Sequence, residues 1–189
     1  FANRIKDFDL IIMDRYTRRN ILLPEYFLNI ADFVENGGGL LLTHGTEEAQ
    51  AENLSATILQ DVMPATIGTD SIVNQNVTPA VTTFGHHHPV TDILKARENY
   101  GDWYRYLETA QLAADSQALL ETPAGAPLLL IREVGEGRVA QFLSDQIWLW
   151  ARGHNGGGPY AQLMKRLSHW LMREPGLEYT PLKMDYADG

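Results

Sequence analysis

The run NGGGLLLTHGTEEA, Asn36 to Ala49, leaves a helix on glycines, sends three leucines into a core and ends at Thr43-His44-Gly45. In α/β enzymes a strand-to-turn corner of this kind holds a nucleophile up to solvent beside amides that stabilise an oxyanion. Gly45 supplies permissive backbone, and the side chains on offer are Thr43, His44 and Thr46. A histidine alone is a poor acyl acceptor, and a threonine needs a base held beside it. One reading is a hydrolase for an amide, ester or sugar derivative, with His44 as general base and Asp145 orienting it. The other is a strand end followed by a plain surface turn.

Ser144-Asp145-Gln146 ends a strand and leads into IWLWARG. Ligands of open α/β sheets gather beyond the carboxyl ends of parallel strands. A parallel strand here would bring Asp145, Gln146 and the two tryptophans to the rim that carries His44. Trp148 and Trp150 then offer a stacking face, or pack the last helix down. Arg15, Arg18 and Arg19 follow the first strand and could hold a carboxylate or phosphate, or meet an acidic neighbouring domain. The expected ligand rim is therefore Arg15, His44, Gly45, Asp145, Gln146 and Trp148.

His86-His87-His88 invites a metal. Neighbours on an extended chain point alternate ways, so only His86 and His88 could share an ion, with His44 joining through the fold. No Asp-x-His or His-x-x-x-His partner stands nearby, so a loop with structural histidines is expected and no metal or other cofactor is. Gly156-Gly157-Gly158-Pro159 at a helix start could cradle an anion, although it lacks the lysine and hydroxyl of a Walker sequence.

The elements that must position these groups are readable in part. Phe8 to Met13 is an apolar run suited to a strand buried on both faces. From Pro24, Tyr26, Phe27, Ile30, Phe33 and Val34 recur at helical spacing until Gly37 to Gly39, and Gly39 to Thr43 is a second short strand. Strand, helix and strand make a βαβ unit and a parallel sheet. Leu54 to Gln60 reads as a helix, Gly68 to Thr83 as polar with weak β-branched character, and GHHHPVTDIL as a loop. Trp103 to Leu107 reads as an edge strand. QALLET is a strand, and two aliphatic runs around Gly135-Glu136-Gly137 make a hairpin. A helix opening at Pro159 carries Tyr160, Leu163, Met164, Leu167, Trp170 and Leu171 on one face. The sheet lacks an expected first strand and helix. That predicts an exposed edge through which two copies could pair as a homodimer.

With 189 residues, 44% of them hydrophobic, the chain can build one substantial α/β domain over residues 1–178, with 179–189 as a tail or linker. A net charge of −9 disfavours nucleic acid, whose phosphates need a cationic surface. The absence of cysteine excludes disulfides, thiolate metal sites and any thiol nucleophile.

FDLIIMDRY, LPEYFLNIADFVENGGGLLLTHG, HHHPVTDIL, VGEGRVAQFLSDQIWLWARG and GGGPYAQLMKRLSHWLMREPGLE together resemble the glutamine-amidotransferase-like domain of large bacterial membrane proteins. The resemblance implies a flavodoxin-like, mostly parallel sheet of the class I amidotransferase superfamily, with helices on both faces. It also implies a soluble domain of a cell-membrane protein, partnered by other domains of that protein or by another protein. The trehalose-utilisation family is similar at a greater distance. Working class I amidotransferases carry a cysteine at the turn after the GGGL-like strand and a late His-Glu pair. Here the turn reads Thr43-His44-Gly45, and the late region reads Ser144-Asp145-Gln146. The expectation is a corner that has lost its nucleophile, in a non-catalytic module for interaction or small-ligand sensing.

Overall fold

A computed structural model describes residues 4–16, 22–49, 53–96 and 100–174. Arg18, Arg19 and the expected tail 179–189 lie outside them. In chain order the elements are β1 Leu10–Asp14, α1 Pro24–Glu35, β2 Gly39–Thr43, β3 Ala65–Val73, β4 Ala80–Val81 and β5 Tyr106–Leu112. There follow β6 Gln117–Glu121, β7 Pro127–Val134, β8 Gly137–Phe142, α2 Trp148–Ala151 and α3 Tyr160–Leu171.

The main sheet has the order β1-β2-β8-β7-β6-β4. β1, β2 and β8 run parallel, whereas β8-β7, β7-β6 and β6-β4 are antiparallel. The expected mostly parallel sheet thus holds for one half only. The tight turn at Gly135 reverses the chain at once, and a two-stranded hairpin can only be antiparallel. β3 and β5 form a separate antiparallel pair.

Leu40, Leu41 and Leu42 of β2 are all fully buried because the two helices cover opposite faces. Phe27, Ile30, Phe33 and Val34 of α1 pack with Leu40, Leu42 and Val139. Leu163, Leu167, Trp170 and Leu171 of α3 pack with Leu41, Ala140 and Phe142. Each such leucine contributes about 2 kcal/mol by burial. β1 forms one margin of the sheet, where Ile12 and the preceding Phe8 stay exposed.

Leu54 to Gln60 is not one helix but two 3-10 turns, Leu54–Ala56 and Ile58–Asp61. Thr57 between them is extended and its hydroxyl takes the Leu59 N–H, which ends one turn and caps the next. The expected edge strand at Trp103 begins later, at Tyr106, and Trp103 bridges Val77 instead. The triple histidine lies in a tight turn rather than an open loop. The Thr82 hydroxyl accepts the Gly85 N–H, and Thr91 Oγ1 donates to the Gly85 carbonyl.

Candidate functional site

The corner after β2 is filled. His44 is fully buried, and its N–H continues the ladder to the Phe142 carbonyl at 3.1 Å. Gln141, pointing out of β8, donates from Nε2 to His44 Nε2 at 3.0 Å and to the Ala65 carbonyl at 3.0 Å. Its Oε1 accepts the Ala65 N–H at 2.8 Å. An acceptor role at Nε2 puts the His44 proton on Nδ1. The imidazole is thus tied to the polar clasp that anchors β3 over the main sheet.

Asp145 does not orient His44. Its carboxylate receives Arg105 Nε at 3.0 Å and Nη2 at 2.6 Å, a bidentate pair. His44, Gly45, Ile72, Arg105, Leu107 and Asp145 meet around a void of only about 10 Å³, roughly the room of one water. With the Asp145 side chain 7% exposed and Arg105 37% exposed, Asp145→Asn weakens a bidentate pair that is buried on its carboxylate side. The variant is expected to lose about 1–3 kcal/mol in urea unfolding. A loss within error of zero would show the pair to be ornamental.

Gln146, Ser144 and Trp150 are also committed, whereas Trp148 and Arg15 stay exposed. Gln146 accepts the Tyr104 N–H, and the Ser144 hydroxyl donates to the Arg105 carbonyl. Trp150 is buried beside Tyr100 and Trp103 and donates Nε1–H to the Gly101 carbonyl at 2.7 Å, so it packs the interior. Trp148 is 50% exposed and Arg15 is exposed as well. The Thr43 hydroxyl donates to Asp14 and accepts the Arg15 N–H. The glycine-rich stretch before α3 forms no anion cradle, because Gly157 and Gly158 amides are spent on the His154 and Trp150 carbonyls. Gly158 is needed for space, since a Cβ there would lie 2.4 Å from the Trp150 ring.

The histidines do not converge. His86 is exposed and His88 is buried beside Trp170, near the start of β2, whereas His44 follows its end. Among the described residues no group of three His, Cys, Asp or Glu could hold a metal ion.

A large cleft lies at this second location. It is open to solvent and offers about 1140 Å³ between the Thr83–His88 turn and the end of α3, with Gln117, Ile131 and Arg138 in its lining. The His88 ring stands 5.7 Å from Phe84 and 5.5 Å from Trp170, and its Nδ1 accepts the Val90 N–H at 3.3 Å. Burial first, then the Arg138 charge, lower the His88 pKa from 6.5 to about 4, against a smaller opposing pull from Asp92. Between those values the unfolded chain takes a proton that the folded chain refuses. Stability therefore falls as pH drops from about 6.5 to about 4. His88→Gln should lose about 1–3 kcal/mol of that pH dependence after solvent screening. Parallel unfolding-versus-pH curves for the two proteins would contradict it.

Two of these residues were missed in the sequence although a signal was present. In GRVAQF, Arg138 shares parity with Ala140 and Phe142, whose side chains face α3, while Gln141 interrupts a buried run. Polar residues at core positions announce partners elsewhere in the fold.

Three solved structures show the same fold at low identity. The cytoplasmic protein STM3548 from Salmonella typhimurium matches with a TM-score of 0.71 at 19% identity, over 90% of this chain and 74% of its own. The cytoplasmic protein STM1381 from Salmonella typhimurium LT2 matches at 0.63 and 20%, over 94% and 75%. A ThuA-like protein from Bacteroides uniformis matches at 0.62 and 14%, over 90% and 71%. No curated protein matches. The family described as "Putative glutamine amidotransferase" matches residues 6–173, nearly the whole described fold, and the chain belongs to that glutamine-amidotransferase-like family.

Proposed function

We propose that this domain is a non-catalytic amidotransferase-like module of a membrane-anchored bacterial protein, serving small-ligand sensing or protein interaction. The observation that carries it is the corner itself. The turn where the family resemblance puts a cysteine reads Thr43-His44-Gly45, and its His44 is fully buried, bonded to Gln141, over a void of about 10 Å³. Glutamine cannot reach a site of that size, and a nucleophile needs both access and a base. Membrane anchoring rests on the sequence resemblance, and no described helix is long and apolar enough to cross a bilayer.

A second reading keeps chemistry at the corner, and one contact favours it. Thr43 is only partly buried and its hydroxyl meets the Asp14 carboxylate, a nucleophile beside an acceptor. Asp14 is 65% exposed, so it is well hydrated and poorly suited to pull a proton from an alcohol. Ammonia release from L-glutamine at high protein concentration separates the readings. The wild type, Thr43→Val and His44→Ala are all expected at the buffer rate. Turnover by the wild type that disappears in Thr43→Val would establish a working threonine and end the non-catalytic reading.

A further inference from the structure

The cleft at the far end of the sheet has the makings of a ligand site, and this deepens the sensing role proposed above. Its walls are aromatic: Phe84 is 43% exposed at the lip, and Trp170 closes the opposite side. Ile131 adds an aliphatic floor. Two polar groups stand within this apolar surround with donors to spare.

Arg138 is the first. Its side chain is only 12% exposed and its guanidinium lies 5.0 Å over the Trp170 ring. Nε donates to Glu133 at 3.2 Å and Nη1 to the Trp170 carbonyl at 2.8 Å. A guanidinium has five N–H donors, so three of them, including both on Nη2, meet no partner among the described residues. His88 is the second. Its Nδ1 accepts the Val90 N–H, which leaves the proton on Nε2 as a donor with no described acceptor.

The charge balance decides what such donors fit. Glu133 and Asp115 stand at the mouth with side chains 68% and 56% exposed, where water screens them. Arg138 lies deeper, and at His88 its effect outweighs that of the Asp92 carboxylate. Arg132, the other arginine lining the cleft, is already engaged by Asp115 and by the Asp61 and Met63 carbonyls, and nearby Arg166 by Asp92 and the Pro89 carbonyl. The cleft interior is thus donor-rich and aromatic, with its carboxylates at the exposed mouth, inside a protein of net charge −9.

We propose that this cleft binds a small aromatic carboxylate, with the carboxylate on the spare Arg138 fork and His88 Nε2–H and the ring against Phe84 and Ile131. A planar guanidinium matches the two oxygens of a carboxylate, and a desolvated pair of this kind is stronger than one in water. The volume of about 1140 Å³ admits one or two fused rings with room to spare. No family resemblance assigns this site, and it lies at the opposite end of β2 from His44.

The test is calorimetric titration of the purified domain with 2-naphthoate and with the uncharged 2-naphthylmethanol, backed by amide chemical-shift mapping. Naphthoate should bind with sub-millimolar affinity and shift resonances around Phe84, His88 and Arg138. The alcohol should bind at least tenfold more weakly, as should naphthoate to Arg138→Gln. Since Arg138 also holds the end of α3, Phe84→Ala is the second variant. Its exposed ring can go without disturbing the core, and it should weaken naphthoate about fivefold. No shifts at millimolar naphthoate, equal binding of acid and alcohol, or unchanged affinity in both variants would each overturn the proposal. None of these outcomes bears on glutamine turnover, so the site can fail while the non-catalytic reading stands.

Discussion

Gln141→Leu is expected to destabilise the domain by about 3–5 kcal/mol, a large part of the roughly 5–15 kcal/mol that holds a typical domain together. Gln141 is fully buried and serves three partners: the Ala65 N–H, the Ala65 carbonyl and His44 Nε2. Leucine fills the same space but satisfies none of them. Each buried polar group left without its bond costs about 1–3 kcal/mol, and the added apolar surface returns about 1 kcal/mol. Urea titration should show the midpoint falling by about 1–3 M with a slope near that of the wild type. A loss under about 1 kcal/mol would mean that Gln141 does not hold the corner closed. His44 could then reach solvent, and the main argument against residual chemistry would weaken.

A comparable loss is expected from Gly137→Ala, for a steric reason. Gly137 opens β8 where the end of α1 crosses the hairpin, and a Cβ there would fall 1.9 Å from the Val34 carbonyl oxygen and 2.5 Å from that of Gly38. Both obstacles are backbone, so no side chain can swing aside. Relief requires α1 to lift from β8, away from the packing of Val34 on Val139. Overpacking of this kind costs about 3 kcal/mol or more, equivalent to a fall of about 6–12 °C in Tm for a chain of this size. Gly125→Ala is the matched control. Its Cβ would meet nothing within 4 Å, and only its φ of +86° resists the change. That strain is worth about 1 kcal/mol. Thermal melts in which Gly137→Ala loses no more than Gly125→Ala would show that the contact relaxes freely.

The corner and the cleft place the two halves of the functional question at opposite ends of β2. At the carboxyl end, Gln141, Arg105 and β3 have closed the place where the resemblance puts a nucleophile. At the amino end, where Leu171 packs over Gly39, an aromatic cleft keeps unspent donors on Arg138 and His88. No residue lines both pockets, so substitutions can probe the closed corner and the open cleft separately.

The sequence by itself determined the elements whose signals are local. β2 spans Gly39–Thr43 as its glycine start and buried leucines require, and α1 runs from Pro24 to Glu35 on its apolar spacing. The hairpin turns at Gly135, and α3 buries Leu163, Leu167 and Trp170 on the expected stripe. It also determined that no thiol chemistry is available, because that follows from composition alone. Only the tertiary structure decided the fate of the polar residues. His44 meets Gln141 across 97 positions, Gln141 meets Ala65 across 76, and Arg105 meets Asp145 across 40. The expected rim is altered for this reason: Asp145 reaches the corner, but partners brought in from residues 104 and 105 engage Asp145 and Gln146, while Arg15 and Trp148 stay exposed. Helical period, glycine turns and buried runs are set by neighbours a few residues away, so one sequence displays them. Whether a buried donor or carboxylate is spent or spare depends on which distant strand lies against it, and only the register of the assembled sheets specifies that.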